Sequence, residues 1–202
     1  MIPLKLILAI VSAIVGTISF LPYIRDIFLK KTKPHSYSWL IWTILQATGV
    51  VAMLSGGAGL GVVALSVGVA FCGFIFLLSL RYGTKNITRF DTLCFIGALL
   101  ATGFYVFLND ALLSVVLVTF IDFVAFLPTL RKAYEEPYTE TFSTFLLSGI
   151  ANLLALGALD VFSVTTALYP ASLVITNSIC SSIILLGKNK KTRRKNVPKR
   201  KR

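Results

Sequence analysis

Phe20-Leu21-Pro22-Tyr23-Ile24-Arg25 recurs as Phe126-Leu127-Pro128-Thr129-Leu130-Arg131. Each copy closes a long apolar run and leads through a short polar loop into the next one. Duplication of a hydrophobic unit is how many membrane transporters are built, with the solute site at the interface of the halves. The repeat therefore bears on architecture and function together, without naming a solute.

Around this repeat the 202-residue chain is 56% hydrophobic and 14% charged, against about 25% charged residues in soluble domains. So few charges cannot cover a water-facing surface, and the composition implies a multi-pass membrane protein. Hydrocarbon leaves the backbone only helices or a closed barrel, and apolar runs of about 17 to 25 residues without alternation read as helices. Seven spans are expected, at Leu4–Phe28, Tyr37–Leu54, Leu60–Leu80, Thr92–Leu108, Ala111–Leu130, Phe142–Ala158 and Val161–Leu186. Turn chemistry separates them, as at Ser55-Gly56-Gly57, Tyr82-Gly83 and Asn109-Asp110.

The expected fold class is an all-α membrane protein in which two parallel three-helix repeats flank a linker helix, a 3+1+3 arrangement. The repeats occupy 1–86 and 111–187, the linker helix 87–110, and a disordered basic tail 188–202. An odd span count lets both triplets insert the same way round, related by an axis along the membrane normal.

Charge gives an orientation. Arg25, Lys30, Lys31 and Lys33 follow the first span, Arg81, Lys85 and Arg89 the third, Arg131 and Lys132 the fifth, and ten more lie in the tail. Nineteen of the 20 Lys and Arg thus fall on one side, Lys5 excepted. The positive-inside rule then places the C-terminus in the cytoplasm and the N-terminus outside. Close to a bilayer the tail should attract anionic lipid. Lipid is the expected partner there and nucleic acid is disfavoured. Self-association is compatible with the sequence.

Asp122 is the one acid well inside an apolar span, where a carboxylate costs about 2.5 to 3.5 kcal/mol at mid-membrane. Such a residue faces a cavity or a partner, so proton or cation coupling stands beside a structural bond to a neighbouring helix or to Arg131. Its counterpart in the first half is Gly16, so the acid is not duplicated. Gln46 and Asn152 are equivalent, 106 residues apart like the proline motifs. An amide on each of two facing helices can bind a polar solute or join the helices. Trp39 and Trp42 read as interfacial anchors or as an aromatic platform for a solute. Pro22 and Pro128 read as paired hinges at a gate or as helix terminators. His35 is expected in solvent. Cys72, Cys94 and Cys180 lie inside apolar runs, where spacing suits neither zinc nor a disulfide framework. No metal, cofactor or set of nucleophile and base is readable, so an enzyme is not expected.

Leu21-Pro22 with Lys30 to Ser38, and Leu127-Pro128 with Pro137 to Ser143, resemble the PQ-loop and SWEET-like transporter superfamily over nearly all the chain up to Gly187. The glutamine that follows the proline in that family is replaced by Tyr23 and Thr129, and the second-helix prolines of its sugar transporters are absent. The resemblance implies the doubled three-helix unit and a pocket asparagine in the third helix of a unit, which Asn177 matches. It implies transport of a small polar solute, sugar or amino-acid-like, by alternating access. The site residues are then Asn177, Gln46, Asn152 and Trp42, with Asp122 for coupling. The alternative is a non-transporting receptor or accessory protein of the same fold that engages lipid or a partner through its basic tail.

Overall fold

The computed structural model describes residues 3–84, 88–108 and 110–196, apart from the side chains of Pro128, of residues 190–196 and of several positions in the fourth helix, Cys94 among them. Among the described residues seven α-helices follow one another: α1 Leu4–Phe28, α2 Ser36–Ser55, α3 Val63–Tyr82, α4 Arg89–Leu108, α5 Ala111–Glu135, α6 Phe142–Gly157 and α7 Val164–Asn196. One-turn 3-10 segments, Gly59–Val62 and Pro137–Thr139, precede α3 and α6. There is no strand among the described residues. Among the described residues five helices, α1, α2, α3 with its 3-10 lead, α5 and α7, are long and apolar enough to cross a bilayer, whereas apolar α6 has 16 residues.

Polarity is distributed as lipid requires. Leu77, Leu80, Phe120, Phe162 and Ile175 point outward, while Ser12, Ser19, Asp122, Thr144 and Asn177 are buried. Water would drive such an apolar exterior to associate, but hydrocarbon solvates it. These are the features of a membrane-spanning protein.

Local chemistry explains the helix ends. Asp110 caps α5, its side chain accepting from the Leu113 amide at 3.0 Å. Gly57, at φ +83°, takes the left-handed conformation that turns the chain out of α2. Two helices outrun their apolar stretches. α5 continues five residues past Leu130, and α7 continues to Asn196. The segment 188–196, expected to be disordered, is therefore helical. Lys and Arg are good helix formers, and cations near a helix C-terminus complement its dipole. Residues 197–202 lie outside the described set.

Pro22 stands inside α1 with six helical residues after it, so it does not end the helix. Position 128 likewise falls within α5, although the Pro128 side chain lies outside the described residues. Each proline leaves a carbonyl one turn earlier without its helical donor.

Helix neighbours follow a pattern. α3 packs on α1 and α2, and α7 packs on α5 and α6. Between these groups α1 packs on α6 and α2 on α5, while α4 lies against α5 and α2. Exchanging α1, α2 and α3 for α5, α6 and α7 reproduces the contacts among these six helices, whereas α4, on α5 and α2, stands outside the exchange. At one end the α1–α2 and α5–α6 loops meet, where Thr141 donates to Asp26 Oδ2 at 3.0 Å and the Thr32 and Thr141 hydroxyls lie 3.4 Å apart. The end of the apolar part of α7 joins them through Lys188 Nζ, 3.2 Å from the Glu140 carbonyl. At the other end the α2–α3 and α6–α7 loops are joined by the Asp160 amide donating to the Ala58 carbonyl at 3.2 Å. Lys5 pairs with Asp160 there at 3.5 Å.

Candidate functional site

A cavity of about 60 Å³ lies in the middle of the bundle. Two apolar clusters bracket it, one around Met53, Val62 and Leu159, the other around Ile27, Ile75 and Ile184. Ten of its 18 lining residues form five pairs 106 residues apart, Gly16 and Asp122, Phe20 and Phe126, Trp39 and Phe145, Trp42 and Ser148, Gln46 and Asn152, while Ser19, Thr144 and Ala151 line it without such a counterpart. α3 and α7 complete it with Ala64, Gly68, Cys72, Leu173 and Asn177. Every solute and coupling residue expected from the sequence, Asn177, Gln46, Asn152, Trp42 and Asp122, lines this one space.

Several polar atoms in the walls are already engaged. Tyr169 donates to Asp122 Oδ1 at 3.3 Å, Gln46 Nε2 to Cys72 Sγ at 3.1 Å, and Asn177 Nδ2 to the Leu173 carbonyl at 2.8 Å. Asn152 Nδ2 donates to the Ser148 carbonyl at 2.9 Å, and Ser148 to the Ser19 hydroxyl at 3.1 Å. Four buried atoms of the lining residues have no hydrogen-bond partner among the described residues: Asp122 Oδ2, Asn152 Oδ1, Trp42 Nε1 and Thr144 Oγ1. Buried polar atoms are rarely left so, because each forfeits its hydration.

Glycines make room for this wall. A methyl on Gly68 would stand 1.9 Å from Gln46 Oε1, and one on Gly49 would stand 2.6 Å from the Tyr169 ring. Gly68 thus admits the Gln46 amide, and Gly49 admits the tyrosine that holds Asp122.

Toward the end with the basic loops, the cavity is separated from a larger vestibule of about 480 Å³ by Trp39, Trp42 and Phe145, which line both spaces. The aromatic rings form a connected chain. Phe20 to Trp39, Trp39 to Trp42, Trp42 to Phe126 and Phe126 to Phe145 have centroids 5.1 to 6.4 Å apart. The two tryptophans are therefore buried in a partition, and the anchor reading is replaced. Arg131 lines the vestibule, so Asp122 pairs with Tyr169 instead of Arg131. His35, expected in solvent, is half-buried in the vestibule wall beside Ser38, 3.3 Å from its hydroxyl.

Glu140 is the buried carboxylate of the vestibule, with Lys132 Nζ 2.9 Å from Oε1. Burial pushes its carboxyl above the ordinary 4.5, with Lys132 and Lys188 opposing the shift.

Thr144, Ser148 and Tyr169 belong to the site and were not singled out from the sequence. Thr144 and Ser148 precede Asn152 at four-residue spacing, a polar stripe on one helical face that could have flagged them. Tyr169 carries no such signal, since its role comes from the crossing of α7 over α5. No protein-family model, curated protein or solved structure matches this chain.

Proposed function

We propose that the chain is a transporter of a small polar solute with a SWEET-like 3+1+3 arrangement, working by alternating access. The observation that carries this reading is the lining of one central cavity by five residue pairs at a constant separation of 106. Pairs of that kind are expected where two equivalent three-helix units meet around a solute. The exchangeable helix contacts support the same division, with α4 as the linker. The basic loops and the α7 extension face the cytoplasm by the positive-inside rule, and the N-terminus lies outside.

In this arrangement the cytoplasmic vestibule is wide and the aromatic partition separates it from the solute. The opposite end is closed by the Ala58–Asp160 and Lys5–Asp160 contacts. Opening there requires those contacts to part, with Pro22 and Pro128 giving α1 and α5 the freedom to bend. The extended basic end of α7 is placed to contact anionic lipid. Saturable uptake of a solute by liposomes containing the purified protein, absent from empty liposomes, is the expected result. No flux across a broad panel of labelled sugars, amino acids and amines would overturn the transporter reading and favour the receptor or accessory role.

A further inference from the structure

We infer that the central cavity takes a small protonated amine that carries no carboxylate, with an amino alcohol as the best match. The inference rests on the cavity being the solute site of the proposed transporter, and it narrows the solute class.

Charge comes first. Among the described residues, those lining the cavity include the Asp122 carboxylate and no Lys, Arg or His. Asp122 is 1% exposed, and its one hydrogen bond, from Tyr169, leaves Oδ2 without a partner among the described residues. A carboxylate so placed is favoured by an opposite charge and strongly disfavours a like one. A carboxylate on the solute would have to sit in the same small space with no cation to answer it. That argues against anions and against zwitterionic amino acids. A neutral polyol gives an ionised Asp122 no counter-charge.

Hydrogen-bond type agrees. An alkylammonium group offers three donors and no acceptor. Three of the unpartnered atoms can accept, Asp122 Oδ2, Asn152 Oδ1 and Thr144 Oγ1, while the fourth, the Trp42 indole N–H, can only donate. The acceptors suit the ammonium group and the indole suits a hydroxyl elsewhere on the solute. Aromatic rings of Phe20, Trp42, Phe126 and Phe145 form much of the remaining wall. Ring faces attract an organic cation, whereas a bare inorganic ion would gain more from oxygen ligands alone. The volume of about 60 Å³ admits only a few heavy atoms.

The chain has two tryptophans, Trp39 and Trp42, and both line the cavity. Intrinsic fluorescence therefore reports the site without requiring transport. The purified full-length protein in phosphate buffer would be titrated with ethanolamine hydrochloride, ethylene glycol, glycine and sodium chloride. Ethylene glycol lacks the ammonium group, glycine adds a carboxylate, and sodium lacks the organic frame. Ethanolamine should change the emission saturably, with at least about tenfold preference over the other three, the size expected for a charge-assisted contact in a buried site. Asp122→Asn should remove that preference and Asp122→Glu should retain it. Should Asp122→Asn fail to fold, the wild-type series still decides. An equal or stronger response to ethylene glycol, glycine or sodium, or no response to ethanolamine, overturns the inference. Ethanolamine binding without flux in liposomes supports this ligand class and overturns the transporter. Flux of another solute without ethanolamine binding does the reverse.

Discussion

Replacing Gly68 by alanine separates site geometry from stability. The added methyl would stand 1.9 Å from Gln46 Oε1 and 3.0 Å from its amide carbon. No real contact is that short, so the amide must rotate away and its 3.1 Å contact with Cys72 Sγ is lost. Overpacking costs about 1 to 3 kcal/mol. Here it falls at the low end, because the displaced group is the tip of a flexible side chain. Alanine for glycine inside a helix returns up to about 1 kcal/mol. The two terms nearly cancel, leaving a net loss of about 0 to 1 kcal/mol. Function has no such compensation. A displaced Gln46 amide removes a polar contact worth about 0.5 to 1.5 kcal/mol, or roughly twofold to tenfold in solute affinity, and narrows the cavity further. Gly73→Ala is the control, since its methyl would meet the Thr43 Cγ2 methyl at an ordinary 3.5 Å. Thermal unfolding and tryptophan fluorescence titration on both variants give the comparison. Gly68→Ala should melt close to the wild type yet bind solute several-fold more weakly, while Gly73→Ala leaves both unchanged or melts slightly higher. Wild-type binding in Gly68→Ala would show that Gln46 does not contribute to the site.

Phe145→Ala should join the central cavity to the vestibule, so that solute leaks faster when flux is measured without a gradient; unchanged leak would show that the partition is not a barrier. Pro22→Ala gives the residue 18 carbonyl its helical donor back, so the melting temperature should hold or rise while uptake slows. Normal uptake would remove the hinge role. Glu140 has a folded pKa above its ordinary 4.5 because burial disfavours the charged form. The folded state therefore binds the proton more tightly, and the wild type should gain stability relative to Glu140→Gln as pH falls through the folded pKa toward 4.5. A wild type that instead loses ground to the variant over that range would contradict the burial argument.

The sequence was informative where physics is periodic and local. Apolar length and turn residues located the helices, and α1 begins and ends at the residues expected, Leu4 and Phe28. α5 and α7 run past the limits of their apolar stretches because hydrophobicity marks where lipid stops, while a helix of good formers such as Lys and Arg continues into water. Gln46, Asn152, Asn177, Trp42 and Asp122 stood out because polar or amphipathic groups are conspicuous in apolar runs. The small residues around them did not. Gly68 and Gly49 gained their meaning only from the Gln46 and Tyr169 side chains they admit. The partner of Asp122 was equally hidden, since Tyr169 lies 47 residues away and meets it only through helix packing.

Alternating access requires that the central cavity open to each side of the membrane in turn. Ser148 lines that cavity, and cysteine replaces serine with little change of shape. Ser148→Cys, in a background where Cys72, Cys94 and Cys180 are replaced by alanine, would be reconstituted in liposomes and exposed to an impermeant thiol reagent from either side. Labelling is expected from both sides, slowed from each by ethanolamine. Labelling from the vestibule side alone, under every solute condition, would contradict it.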